Sequence, residues 1–177
     1  MKNKSTLSEK TRHLTLTAML AALSVVILYL GTLLDVMIIS AAGIASLFVW
    51  LAKRELPRAY AVSLYVATSF LSLFLLPNPE AGVTYLFFGG LYPLLKQTFE
   101  RRARPLPLLL KLLYVNAAVL VVEAIGFFLL SIPFEGLWLL LALLVLANPT
   151  FLLYDLLLDR LLIWYEVRLR PRIARYL

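Results

Sequence analysis

The placement of basic residues constrains this chain more than any other feature. Six apolar stretches run from Leu14 to Leu34, Val36 to Ala52, Arg58 to Leu76, Val83 to Phe99, Leu106 to Ile132 and Leu137 to Tyr165. The junctions between them alternate in character. No lysine or arginine stands around Asp35, in Pro77-Asn78-Pro79-Glu80, or in Ile132-Pro133-Phe134-Glu135-Gly136. Lys53, Arg54 and Arg58 mark one intervening junction, and Lys96, Arg101, Arg102, Arg104 and Lys111 surround the other. The head holds Lys2, Lys4, Lys10 and Arg12; the tail holds Arg160, Arg168, Arg170, Arg172 and Arg175. If each stretch crosses a bilayer once, all 17 lysines and arginines fall on one side. Positive charge marks the cytoplasmic side of short loops. The pattern therefore predicts an all-α polytopic membrane helix bundle with six transmembrane helices and both termini inside. Five or seven spans would break the alternation.

Composition agrees with lipid as solvent. The chain of 177 residues is 62% hydrophobic and 15% charged, with a mean hydropathy of +0.89. A span needs roughly 20 mostly apolar residues to cross the hydrocarbon layer. Three segments are predicted: a basic cytoplasmic head over 1–13, a transmembrane domain over 14–165, and a basic cytoplasmic tail over 166–177. The head and first apolar run read as a retained first helix, because no small-residue cleavage site interrupts the run. The net charge of +7 points to anionic lipid head groups rather than to nucleic acid.

Several chemistries lack their residues. There is no cysteine, hence no disulfide framework or thiolate metal site. No phosphate-cradling G-x-x-x-x-G-K-[ST] loop is present. The single histidine, His13, reads as a polar residue at the membrane edge, since a lone imidazole lacks a second ligand. No metal, cofactor or catalytic residue is expected, and the chain does not read as an enzyme.

Ionisable groups within a span are costly and mark function by default. Glu123 falls ~18 Å above the cytoplasmic interface, Tyr92 ~16 Å, Asn148 ~14 Å and Lys96 ~10 Å, counting ~1.5 Å per residue. Gly89, Gly90 and Pro93 loosen the fourth helix at that depth. One reading is a polar, outward-opening solute site built from Glu123, Asn148, Tyr92, Tyr85 and Lys96. The other is structural, with Glu123 paired to Asn148 or Lys96 to hold helices together. Asn116, ~8 Å up the fifth helix, is expected to bond a neighbouring helix. Asp155 and Asp159 are expected to form an interfacial salt-bridge cluster with Lys96, Lys111 and Arg160. Trp50, Trp164, Tyr165, Trp138 and Phe134 are expected at the two membrane boundaries.

The first helix carries small residues at a spacing of four, Ala18 and Ala22, and the second carries Ala42 and Ser46 beside Gly43. Such faces permit close helix approach, either internally or to a separate subunit. The basic head leading into Thr15-x-Thr17-Ala18-x-x-Ala21-Ala22-Leu23, with six spans in about 180 residues, resembles the substrate-binding S components of energy-coupling-factor transporters. That resemblance covers the layout of the whole chain. It implies a subunit of the cell membrane that captures a vitamin or similar micronutrient. Uptake would be energised through a transmembrane coupling subunit and separate ATPase subunits, with Ala18 and Ala22 as the docking face. The chain also resembles, in size and topology, the rod-shape-determining membrane proteins of the MreD type, which implies a non-transporting scaffold for wall synthesis.

Overall fold

A computed structural model describes the backbone of all residues except 1, 35, 36, 104, 132, 134, 135 and 174–177, and no side chain at 2–6, 172 or 173. The outer-turn residues Asp35 and Glu135, the boundary residue Phe134, and Arg104 and Arg175 lie outside the described residues. Helices α1 (Lys2–Leu33), α2 (Ile38–Glu55), α3 (Arg58–Leu75) and α4 (Pro79–Thr84) come first. The last of these passes into a π-helical stretch, Tyr85–Gly90, and on into α5 (Leu91–Glu100). Then follow α6 (Leu106–Leu129) and α7 (Leu137–Trp164), which runs through a second π stretch, Tyr165–Leu169, into α8 (Arg170–Ile173). No strand occurs among the described residues.

Four of these helical segments are long and apolar enough to cross a membrane: Leu7–Leu33, Arg58–Leu75, Leu106–Leu129 and Leu137–Leu169. The other two expected spans are of a different kind. The 18-residue α2 ends in Lys53-Arg54-Glu55, and the fourth stretch is divided by its π segment. The basic head is helical as well, residues 2–13 running into the rest of α1. Nothing in Lys2–His13 breaks a helix, since it holds neither proline nor glycine.

The chain divides into two compact units, Met1–Phe134 and Glu135–Leu177. In the first, α2 is the hub, packed against α1, α3, α5 and the π stretch. Its inward positions are small: Ala41, Ala42, Ala45, Ser46, Val49 and Ala52 are all buried. Small side chains let backbones approach closely. A Cβ on Gly31 of α1 would lie 2.2 Å from the Ala41 Cβ, and one on Gly89 would lie 2.6 Å from the Ala42 carbonyl oxygen. The Ala42–Ser46 pair is thus an internal packing face. At the start of α4, Asn78 Oδ1 accepts from the Glu80 N–H at 2.9 Å, and Pro79 occupies the first turn. An asparagine cap followed by proline is a strong helix start.

The second unit is essentially one helical rod. It opens at Gly136, whose φ of 110° favours glycine because it lacks a Cβ. Pro149 sits inside α7 and cannot donate to the carbonyl of Val145. Next to that gap the Asn148 amide donates to Leu144 O at 2.7 Å, and the Thr150 hydroxyl donates to Leu146 O at 2.8 Å.

Candidate functional site

The π stretch follows from the proline beyond it. In an α-helical register the Gly89 carbonyl would face position 93, where proline has no N–H and its ring crowds that carbonyl. Widening the turn shifts the pairing by one residue and avoids the clash. Gly89 and Gly90 permit the resulting close approach. The first lies against the α2 backbone, and a Cβ on the second would come within 3.0 Å of both the Tyr65 and Tyr85 rings.

Two phenols from different helices hold the widened turn. Tyr65 on α3 donates to Leu86 O at 3.1 Å, and Tyr114 on α6 donates to Phe87 O. Below them, the Tyr114 ring packs between Tyr92 and Phe99, with centroids 5.6 Å and 5.9 Å away. Tyr85 and Tyr92 are both fully buried. Polar groups on irregular backbone within an apolar core must find partners, and Tyr65 and Tyr114 supply them.

At the lower end Glu100 organises the charges. Its Oε1 lies 3.4 Å from Lys96 Nζ, one turn back on α5, and 2.9 Å from Lys111 Nζ on α6. Lys96 and Lys111 are buried, and Lys96 Nζ stands 6.0 Å from the Tyr92 ring centroid. Nearby, Lys53 donates to the carbonyls of Pro93 and Leu94 at 3.0 and 2.9 Å. Burial holds the Lys53 ammonium below the ordinary lysine range. Arg58 and Arg101 push the same way, and Glu100 opposes them.

The Lys111–Glu100 contact joins α5 to the start of α6. Further along, the Tyr114–Phe87 bond brings Tyr114 to the π stretch, and Glu123 lies nine residues, ~14 Å, beyond Tyr114 on α6. Unlike Tyr85 and Tyr92, Glu123 is exposed, among the exposed apolar side chains Leu120, Val121 and Phe127. Tyr85, Tyr92 and Lys96 share one interrupted helix. Asn148 belongs to the second unit, and Asp155 and Asp159 lie one turn apart on the same α7. Asn116 donates to Leu112 O of its own helix at 2.7 Å. His13 packs edge-on against Tyr60, with centroids 5.3 Å apart.

On α1, Thr17, Ala21 and Ser24 are buried while Ala18 and Ala22 are exposed. The small face identified on this helix thus lies outside the packing of the first unit. Glu100 was not singled out by the sequence reading. Its i,i+4 spacing from Lys96 was a usable signal, masked by reading that junction for its net positive charge alone.

No protein-family model, curated protein or solved structure matches the chain significantly. The fold accordingly defines a class and no more: an all-helical protein with helices long and apolar enough to cross a membrane.

Proposed function

We propose that the chain is a substrate-binding subunit of a vitamin or micronutrient uptake transporter in the cell membrane, energised by separate ATPase subunits through a transmembrane coupling subunit. One observation carries this reading. A carboxylate, Glu123, is exposed among apolar side chains on α6, the helix whose Tyr114 bonds the π-helical stretch next to the buried Tyr85 and Tyr92. Interrupted helices within a bilayer persist where they are buried in protein or line a cavity, and π turns recur at functional sites. A carboxylate within the bilayer is costly unless it has a role. In this reading Glu123, Tyr85, Tyr92 and Lys96 contribute to the solute site, and Ala18 and Ala22 dock the coupling subunit. All six expected stretches cross the membrane, with both termini cytoplasmic.

The exposed face of α1 also suits the MreD-like alternative, a scaffold that binds other membrane proteins without transporting a solute. Native mass spectrometry of the chain purified from membranes separates the two. The transport reading expects a small-molecule adduct, with ATPase subunits recovered in the mildest detergent. Partner proteins without any adduct would favour the scaffold. Topology is tested independently, because the cysteine-free chain accepts single cysteines. Asn78→Cys should react with an impermeant thiol reagent from outside, and labelling of Arg102→Cys from outside would refute the six-span arrangement.

A further inference from the structure

Buried hydroxyls in apolar helices commonly donate back to a carbonyl of the preceding turn. In the first unit Thr17, Ser24 and Thr32 do so on α1, Ser46 on α2 and Ser72 on α3. Thr68 on α3 does not, and its buried hydroxyl oxygen meets no hydrogen-bond partner among the described residues. The neighbouring Ser69 hydroxyl, also buried, reaches the Tyr65 phenol. Thr68 is fully enclosed. Such a group calls for an explanation, commonly a bound water or ligand.

Their position is specific. One turn along α3, the backbone at Ser72 and Leu73 touches Gly82, where a Cβ would come within 3.0 Å. One turn back, the Tyr65 phenol donates to Leu86 O. Thr68 and Ser69 fall between these two contacts, at the level where α4 widens into the π stretch. From 59 to 79, and again from 81 to 95, the chain has no carboxylate, ammonium or guanidinium. These two segments supply no counter-charge for an ion, so their chemistry suits a neutral guest.

We infer that Thr68 and Ser69, at the mouth of the π stretch, form a seat for one uncharged hydrogen-bonding group. That group both donates and accepts. It comes either from a trapped water molecule or from a hydroxyl or amide of a solute. The seat is independent of Glu123 and survives if Glu123 binds nothing.

The two possibilities for an unpartnered hydroxyl have opposite signs. Replacing an idle buried hydroxyl by an apolar group of similar shape stabilises a protein, whereas removing one that holds a partner destabilises it. Thr68→Val in the full chain, reconstituted in nanodiscs, should lower the melting temperature by about 2–4 °C, and Ser69→Ala, which also loses the Tyr65 contact, by at least as much. In the wild type, native mass spectrometry and water-edited NMR identify the source. A small-molecule adduct that disappears in Thr68→Val assigns the seat to a solute. Magnetisation transfer from water to the Thr68 methyl group, with no adduct, assigns it to water. A higher melting temperature in Thr68→Val, with neither adduct nor transfer, would overturn the proposal. If Thr68→Val does not fold, Ser69→Ala and the two wild-type spectra still decide.

Discussion

Helix α2 and the rod that begins with α7 are both apolar, yet they occupy opposite environments. Along α2 the inward positions are alanine, serine and valine, and they are buried. Along Leu137–Leu169 only 6% of the most apolar window is buried, and Leu139, Val145, Leu146, Leu153 and Leu157 are all exposed. Hydropathy alone does not distinguish the two. Side-chain size does: small residues bring backbones into contact, while large aliphatic residues cover surface that contacts lipid as readily as protein. In the first unit Tyr65, Tyr114 and Lys53 brace other elements. On α7, Asn148 and Thr150 donate back to their own helix.

The sharpest way to break this contrast is to add bulk where the contact is closest. Gly89→Leu drives a side chain into the α2 backbone, and should cost about 3 kcal/mol or more. Leu146→Ala on α7, at a side chain that is 64% exposed, should stay within about 0.5 kcal/mol. Thermal unfolding of both variants in one detergent measures the difference. Equal losses would dissolve the distinction between the two helices.

An intermediate effect is expected at Glu100. Its carboxylate bridges two buried lysines but is itself 41% exposed, so solvent screens part of the attraction. Glu100→Gln should lower stability by about 1–2 kcal/mol. Adding Lys111→Met should recover part of that loss, because the variant no longer buries an under-compensated ammonium. A double variant as unstable as the sum of the singles would show that the bridge is not the source of the effect.

The smallest effect on stability is expected on α1. Ala18→Leu together with Ala22→Leu adds bulk to an exposed face and should change stability by less than about 0.5 kcal/mol. Under the proposed function it abolishes co-purification of the coupling subunit. Aggregation of the isolated chain would instead mark the face as part of its own packing.

Much of the helical framework was legible in the sequence. The capped, proline-marked start at Asn78 is a local signal, and so is the loosening of the fourth helix by Gly89, Gly90 and Pro93. What local pattern could not decide was which small-residue face points inward. The pairs Ala18–Ala22 and Ala42–Ser46 have the same spacing, yet one is exposed and the other buried. Only the arrangement of neighbouring helices separates them. The same holds for the candidate site. Depth counting brought Glu123 close to the level of Tyr92, but whether a side chain on α6 is covered depends on the rotation of that helix about its axis. The Lys111–Glu100 contact was hidden for a related reason, since it joins two helices across a basic turn.

The most direct test is a comparison of wild type and Glu123→Gln, each purified and measured for melting temperature and for affinity toward the solute that co-purifies with the wild type. Loss of a hydrogen bond to a charged group at the site should weaken binding by about tenfold or more. An exposed side chain should leave the melting temperature unchanged. Unchanged affinity would remove Glu123 from the site, and a large fall in melting temperature would make it a structural residue; either result contradicts the proposed site.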